Sequence, residues 1–314
     1  MVVSRQDGRI EHALVSDLPR FLRKDDLLVL NDTKVFPARL FGRREGKQGI
    51  VEILLLRETA SGVWEALVKP GRKARPGVRL VFEPGFSAEV LDPSDPQGMT
   101  RQVRFNCEGD FWEKVGRLGT TPLPPYIGRK AGEESSEDRE RYQTVFAQTP
   151  GSVAAPTAGL HFTPTLLEEL HHVQITLHVG YGTFQPVKAD NVEEHRMHAE
   201  HYSVSAEAAS IIQDQLDDGG RVIAVGTTST RVLEHLFRKR GRIEADEGWT
   251  DIYIYPGFQF RVISGLLTNF HLPKSTLLLL VSAFAGTELI SRCYEEAIRR
   301  KYRFYSYGDA MLIL

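Results

Sequence analysis

Cysteine is scarce in this sequence and long apolar runs are missing. The 314 residues include two cysteines, Cys107 and Cys293, far apart along the chain. No disulfide framework or four-thiolate zinc site is therefore expected, and a reducing cytoplasm is the simplest setting. The longest apolar run, residues 277–285, is much shorter than the ~20 residues of a membrane span. The first residues have no apolar stretch typical of a signal peptide. We expect a cytoplasmic protein that makes no membrane contact.

An excess of one charge is also missing, since 39 basic residues face 41 acidic ones and the net charge is −2. This balance excludes a chain that is basic throughout, but a nucleic-acid binder needs only a local basic patch. Residues 69–79 carry five cations and no acid, and residues 34–47 form a second basic cluster. Most charge runs are solvated faces, yet two such clusters also fit contact with phosphates.

Familiar fingerprints are absent too: the sequence has no P-loop, no Gly-x-Gly-x-x-Gly and no Gly-x-Ser-x-Gly elbow. Seven of the ten histidines fall between His161 and His201, and His195, His198 and Glu200 could in principle meet at a metal. Their spacing matches no common zinc pattern and no cysteine lies near. We therefore predict no metal site.

The hydrophobic pattern predicts an α/β protein in three parts. Residues 27–30 are a continuous apolar run, typical of a strand buried on both faces. Residues 38–118 contain short strand patterns separated by Gly, Pro, Asp and Ser turns, which favours a small antiparallel barrel. Helix and strand signals alternate in residues 119–314. We predict a three-layer α/β/α domain (1–37 and 119–314) with an inserted small antiparallel β-barrel domain (38–118). The charged segment 129–141 is expected to be a solvated loop, either a lid or an idle insertion.

Polar and glycine-rich segments follow several of the predicted strands. Residues 31–33 end the first strand, and residues 226–231 join a strand to a helix, where they could cradle an anion or simply cap the helix. Residues 151–162 are mostly small, which indicates a close backbone approach. Residues 178–184, 267–276 and 302–311 add histidines, an amide, a lysine and aromatic side chains.

Together these segments resemble one family, the S-adenosylmethionine:tRNA ribosyltransferase-isomerases of queuosine biosynthesis. The matching stretches are residues 26–40, 121–127, 141–145, 151–163, 178–184, 195–200, 224–231, 268–276 and 303–314. They follow in order along nearly the whole chain. Members of the family usually carry about 25–30 further residues before the position of Met1.

The resemblance implies a cytoplasmic transferase that needs no metal or cofactor and uses S-adenosylmethionine (AdoMet) as a ribosyl donor. The acceptor is 7-aminomethyl-7-deazaguanine at the tRNA wobble position, and the products are epoxyqueuosine-tRNA, adenine and methionine. The implied fold pairs a three-layer α/β domain with a β-barrel. Rival interpretations are an AdoMet-dependent RNA methyltransferase, a non-catalytic RNA-binding protein and a histidine-based metalloenzyme. We expect a monomer or weak homodimer.

The chemistry implied by the resemblance suggests roles for individual residues. The sulfonium acidifies the C5′ protons of AdoMet, so the reaction needs a base with a pKa near 7, and adenine leaves more easily when it is protonated. Candidate bases are His161, His178 and His271, and candidate acids are Asp309 and Glu200. The candidate AdoMet-binding residues are Asn31, Asp32, Thr227, Thr228, Arg231, Asn269 and Lys274. The candidate tRNA-binding residues are Lys34, Arg39, Lys69, Arg72, Lys73 and Arg75.

Overall fold

The computed structural model describes residues 1–93, 100–124, 126–127, 136–184 and 191–314. This part of the chain divides into two compact units. The first unit contains Met1–Lys34, Thr144–Thr149 and Ala155–Leu314, and the second contains Val35–Gln143 and Pro150–Ala154. The second unit is thus wider than the predicted 38–118 insertion, because the chain after residue 118 stays with it up to Gln143.

The described residues form seventeen strands and seven α-helices. The strands are β1 (Val2–Val3), β2 (Ile10–Glu11), β3 (Leu27–Asn31), β4 (Thr33–Val35), β5 (Arg39–Arg44), β6 (Ile50–Ala60), β7 (Val63–Lys69), β8 (Arg79–Glu83), β9 (Phe86–Pro93), β10 (Thr100–Cys107), β11 (Thr149–Ser152), β12 (His172–Leu177), β13 (Glu200–Val204), β14 (Val222–Val225), β15 (Asp246–Thr250), β16 (Gly265–Asn269) and β17 (Ala310–Ile313). The helices are α1 (Phe111–Leu118), α2 (Ser136–Arg141), α3 (Pro164–Glu168), α4 (Ala206–Asp217), α5 (Gly226–Arg240), α6 (Thr276–Ala285) and α7 (Thr287–Arg299).

A nine-stranded sheet is the centre of the first unit, in the order β15-β13-β12-β3-β14-β16-β17-β1-β2. Its four middle strands β12, β3, β14 and β16 are parallel, and β17 runs antiparallel to β16. Because side chains alternate along a strand, β3 can bury all five of its residues only between two layers. Leu28 and Leu30 pack with Leu166 and Leu167 of α3 on one side. Helix α5 contacts β3, β14 and β16, as the predicted α/β architecture requires.

The second unit contains a closed barrel of six antiparallel strands in the order β10-β7-β6-β5-β8-β9. Five of these strands coincide with the apolar runs recognised in the sequence. The sixth strand, β5, was not predicted, because it lies within the basic cluster of residues 34–47 and contains no continuous apolar run. Leu40 on this strand is fully buried, so the strand alternates between core and surface and closes the barrel. The mixed α/β fold with an antiparallel barrel is thus confirmed.

Two local predictions were incomplete. Residues 226–231 were expected to join a strand to a helix, but they already belong to α5, which begins at Gly226. Ser229 and Thr230 donate their hydroxyls to the carbonyls of Val225 and Gly226, so these cap-forming residues fit inside the first turns of the helix. Within the expected charged loop 129–141, residues 136–141 form α2, and residues 129–135 lie outside the described residues.

No single helix in the described ranges is long and apolar enough to cross a membrane. Helices α6 and α7 reach the required length and composition only as a pair, and that pair is bent by 114° at its break.

Candidate active site

The candidate residues of the first unit gather at one edge of its sheet. Asn31 ends β3, His178 follows β12, α5 starts directly after β14, and Asn269 ends β16. Asp309 precedes β17, whose first residue Ala310 lies opposite Asn269. The carboxyl ends of parallel strands are where open α/β sheets bind ligands. The structure therefore brings candidates from separate parts of the sequence to one edge of the sheet.

The side-chain amide of Asn31 links the end of β3 to the end of β12 through both its nitrogen and its oxygen. Its Nδ2 donates to the carbonyl of Leu177 at 2.9 Å, and its Oδ1 accepts from Leu177 N at 3.0 Å and Thr33 N at 3.2 Å. The side chain is buried, with 1% of its surface exposed. Asn31 therefore holds the end of β12 against β3, and its Nδ2 keeps a second N–H beyond the one donated to Leu177.

Asp32 keeps its carboxylate at the sheet edge, held by two threonine hydroxyls. Thr176 Oγ1 donates to Asp32 Oδ1 at 2.6 Å, and Thr149 Oγ1 donates to Oδ2 at 3.2 Å. The side chain is half-buried. Since a carboxylate has about four acceptor positions, two remain for ribose hydroxyls.

His178 is held between a hydroxyl and a second imidazole. Its Nδ1 lies 2.8 Å from Thr33 Oγ1, and its ring stacks on His201 with 5.8 Å between centroids. Burial, and then the neighbouring His201, lower the pKa of His178 to about 4. The imidazole is therefore neutral at neutral pH and can accept a proton, but its pKa lies well below the value near 7 expected of the base.

His271 has a similar environment at the end of β16. Its Nε2 lies 2.7 Å from Thr268 Oγ1, and its backbone N–H donates to the hydroxyl of Tyr294 at 2.7 Å. Burial lowers the pKa of His271 to about 4. Two hydroxyls therefore fix both the ring and the backbone of this candidate base.

His161 is bound to the amide of Asn269. Asn269 Nδ2 lies 3.2 Å from His161 Nε2 and also 3.2 Å from the carbonyl of Tyr305. Burial lowers the pKa of His161; Asp309 opposes this, and Arg303 adds to it. Asp309 is held in turn by Arg303, whose backbone N donates to its Oδ2 at 2.7 Å. His161, Asn269 and Asp309 thus form one group at this edge.

Glu200 and Arg231 face each other as a buried ion pair. Their side chains are 4% and 5% exposed. Glu200 also accepts the backbone N–H of Gly180 at 2.8 Å, and Arg231 Nε donates to the carbonyl of Ile252 at 3.3 Å. The pair connects the glycine turn after His178 to α5. Both charges are already matched, so Glu200 is not free to serve as the acid, nor Arg231 as the AdoMet-binding cation, that the sequence suggested.

The remaining AdoMet candidates differ in accessibility. Thr227 is buried in the first turn of α5, whereas Thr228 is half-buried and its Oγ1 has no hydrogen-bond partner among the described residues. Lys274 is exposed and takes a left-handed backbone conformation, with φ of 57°. The small-residue segment has a structural cause at Gly159, where a Cβ would lie 2.6 Å from the Phe146 ring.

The basic candidates fall into three groups. Lys34 is an exposed residue of the first unit. In the second unit Arg39 is paired with Glu52 at 3.1 Å. The third group comprises Lys69, Arg72, Lys73 and Arg75. These side chains form no ion pair within the described ranges, and all are exposed except Lys73, which is half-buried.

The histidine cluster considered for a metal is dispersed. The His195 ring packs against Tyr253 at 5.3 Å, His198 lies beside Gly182, and Glu200 is paired with Arg231. In the part of the chain that the structure describes, no group of three His, Cys, Asp or Glu side chains could hold a metal ion.

Sequence reasoning missed the residues that position the candidates. These are Thr33, Thr149, Thr176, His201, Thr268, Tyr294 and Tyr305, which contact the candidate side chains directly. A weak signal existed for Thr33, Thr176, His201 and Thr268, because each lies within three residues of a candidate, and Tyr305 lies within the segment 302–311. Thr149 and Tyr294 are remote from every candidate in the chain and carry no local signal.

The fold and this edge define a two-unit α/β protein in which half-buried histidines, an amide and a carboxylate lie at the carboxyl ends of the parallel strands. Residues 1–313 match the family model described as queuosine biosynthesis protein, and the chain belongs to that family. It is 52% identical over 320 residues to the S-adenosylmethionine:tRNA ribosyltransferase-isomerase of Caldanaerobacter subterraneus subsp. tengcongensis. It is 53% identical over 319 residues to the protein of the same name from Desulfitobacterium hafniense. Each alignment covers 100% of this chain and 92% of the relative.

A solved structure supports the same relationship. The crystal structure of S-adenosylmethionine tRNA ribosyltransferase from Thermotoga maritima is 35% identical, with a TM-score of 0.52. The match covers 100% of this chain and 91% of that chain. The resemblance inferred from the sequence motifs is confirmed.

Proposed function

We propose that this chain is an S-adenosylmethionine:tRNA ribosyltransferase-isomerase. It transfers and isomerises the ribosyl group of AdoMet onto 7-aminomethyl-7-deazaguanine at the tRNA wobble position. The products are epoxyqueuosine-tRNA, adenine and methionine. The observation that carries this proposal is the match of residues 1–313 to one family, together with relatives of that name at about half identity along the whole chain.

The proposed reaction begins with loss of a C5′ proton, which the adjacent sulfonium acidifies. A neutral imidazole can take that proton, and three half-buried histidines with lowered pKa values lie at the sheet edge: His161, His178 and His271. Expulsion of adenine follows, then attack by the amine of the modified base and closure of the epoxide with loss of methionine. Asp32, whose carboxylate has acceptor positions left, is suited to bind ribose hydroxyls.

Product analysis separates this function from its rivals. The chain is incubated with AdoMet and tRNA that carries the aminomethyl base, and small molecules are quantified by mass spectrometry. Ribosyl transfer releases adenine and methionine in equal amounts. S-adenosylhomocysteine would instead identify a methyltransferase, and binding without either product would identify a non-catalytic RNA-binding protein. tRNA with an unmodified wobble guanine is the matched control and should release no adenine.

The tRNA is proposed to contact the cationic group around Lys69 and Arg72. Each neutralised phosphate releases counterions, so the slope of log affinity against log salt falls by about 0.7–0.9 per contact. Replacing Lys69 and Arg72 with glutamine should weaken tRNA binding and make that negative slope less steep by roughly 1–2. Arg79→Gln is the control, because Arg79 lies near Glu45 at 3.7 Å. An unchanged slope in the double variant would place the RNA elsewhere.

The remaining parts of the proposal concern the state of the enzyme. AdoMet is a substrate and no further cofactor or metal takes part, so turnover should survive exhaustive dialysis against a chelator. The enzyme is proposed to act in the cytoplasm, without a membrane, as a monomer or weak homodimer. Sedimentation at micromolar concentration tests the oligomeric state.

A further inference from the structure

The orientation of the Asn269 amide is fixed by a backbone carbonyl. One polar atom of this amide faces both the Tyr305 carbonyl and His161 Nε2, each at 3.2 Å. A carbonyl oxygen can only accept a hydrogen bond, so the amide atom opposite it must be the NH2 group. The choice between the two amide orientations, often open in protein structures, is thereby decided.

This orientation determines which nitrogen of His161 carries the proton. The amide NH2 donates, so His161 Nε2 must accept, and a neutral imidazole then holds its hydrogen on Nδ1. A protonated His161 ring would instead place an Nε2–H donor against the Asn269 NH2 group, which is also a donor. The charged groups around the ring are Asp309, Arg303 and the α-amino group of Met1, and burial outweighs the effect of Asp309 so that the pKa of His161 is lowered.

Two groups at this point have no hydrogen-bond partner within the described residues. One is Nδ1 of His161, the donor of the pair, whose ring is half-buried. The other is Oδ1 of Asn269, an acceptor on a side chain that is only 2% exposed. A buried acceptor without a partner costs free energy in the empty protein. A ligand that offers an N–H or O–H to Asn269 and an acceptor to His161 would satisfy both.

We propose that His161 serves the ribosyl-transfer reaction as a hydrogen-bond donor through Nδ1, and that another group removes the C5′ proton. Asn269 acts as the positioning residue that sets this tautomer, while its Oδ1 accepts a hydrogen bond from AdoMet. The acceptors on AdoMet that suit His161 are the ring nitrogens of adenine, because a hydrogen bond there favours departure of the base. The assignment rests on the proposed function for the identity of the ligand, but the tautomer itself does not.

The tautomer can be measured without turnover. Two-bond 1H–15N spectra of histidine-labelled protein distinguish Nδ1–H from Nε2–H rings, and the His161 signals are identified by their loss in His161→Asn. We expect His161 to be protonated on Nδ1. Asn269→Asp should move the proton to Nε2, because a carboxylate only accepts. A wild-type ring protonated on Nε2 would overturn the proposal, whatever the enzyme's activity.

Two amide substitutions separate a donor from a base in the reaction. The amide of asparagine reproduces the position of Nδ1, and that of glutamine reproduces the position of Nε2. A donor at Nδ1 predicts that His161→Asn keeps adenine release within about 10-fold of wild type, as for one weakened hydrogen bond. His161→Gln should then lose about 100-fold or more. If His161 is the base, both variants fall by about 10²–10⁴-fold, since neither amide takes up a proton.

The two proposals fail in different ways. Absence of adenine release by the wild-type chain would refute the ribosyl-transfer function and leave the Nδ1–H tautomer standing. Equal losses in the two amide variants of an active enzyme would refute the donor role of His161 alone. Thr268→Val, which removes a hydroxyl from His271 and not from His161, should leave the His161 spectrum unchanged.

Discussion

Breaking the buried ion pair between Glu200 and Arg231 should destabilise the first unit strongly. Removing one partner leaves the other charge in an environment that is about 95% closed to solvent. Such an uncompensated charge costs about 3–5 kcal/mol. Glu200→Ala additionally deprives the Gly180 N–H of its acceptor, a loss of about 1–3 kcal/mol when taken alone. We expect Glu200→Ala to lie in the upper part of the 3–5 kcal/mol range.

Arg231→Met should cost less than Glu200→Ala. The methionine side chain fills much of the vacated volume, and the Gly180 N–H keeps its carboxylate acceptor. The double variant Glu200→Ala/Arg231→Met carries neither charge. Its destabilisation should therefore be smaller than the sum of the two single changes, by about 0.5–3 kcal/mol.

Urea unfolding followed by tryptophan fluorescence measures the free energy of unfolding of the first structural unit. Trp249 is the single tryptophan of the first unit, and it pairs with His201, the residue after Glu200. Replacing Trp64 and Trp112 by phenylalanine isolates its signal. All variants are compared in that background.

An exposed ion pair of the same unit provides the control. Arg242 and Glu244 are 58% and 48% exposed and 3.4 Å apart, so Arg242→Met should cost under about 1 kcal/mol. If Glu200→Ala also cost under 1 kcal/mol and the double variant were additive, the pair would not be a structural connection. Arg231 would then remain a candidate for binding AdoMet.

Two further predictions concern protonation. Burial opposes ionisation of Asp246, but the hydrogen bonds from Lys239 and Tyr202 outweigh it, and the pKa of Asp246 falls to about 2. The Asp246 carboxylate therefore binds a proton less tightly in the folded chain than in the unfolded chain. The stability that ionised Asp246 contributes is present above its ordinary pKa of 3.8 and is lost as the pH falls towards 2. Asp246→Asn should therefore lower the urea midpoint at pH 6, and most of this difference from the wild type should disappear by pH 2. Replacing His201 by glutamine removes the second cause of the low pKa of His178; NMR titration should show a partial rise from about 4, and no rise would mean that burial acts alone.

The sequence predicted the scaffold well where burial alone determines the pattern. Residues 27–30 are apolar at every position because both faces of β3 are covered, and that property requires no knowledge of distant partners. Strand β5 was missed for the opposite reason. Only Leu40 and Gly42 are buried on β5, and its other four residues are at least partly exposed. Three of those four are arginines, so the alternation of buried and exposed residues is not visible as an apolar pattern.

Residue roles were far less predictable than residue positions. The end of β3 lies at the edge where the candidates gather, yet the Asn31 amide is hydrogen-bonded to Leu177, which lies 146 positions later in the chain. Likewise Glu200 looked like an available acid until Arg231, 31 residues further on, was seen to neutralise it. Such partners depend on strand order, and no local pattern in the sequence encodes them.

The same dependence on partners separates the three candidate bases. A hydroxyl both donates and accepts, so the threonine beside His178 or His271 can follow the imidazole through either tautomer and can still accept an N–H after proton uptake. The amide NH2 of Asn269, committed to a carbonyl, can only donate to His161. Protonation of His161 would place two donors against each other. A histidine base at this edge is therefore expected to be one of the two that threonine holds.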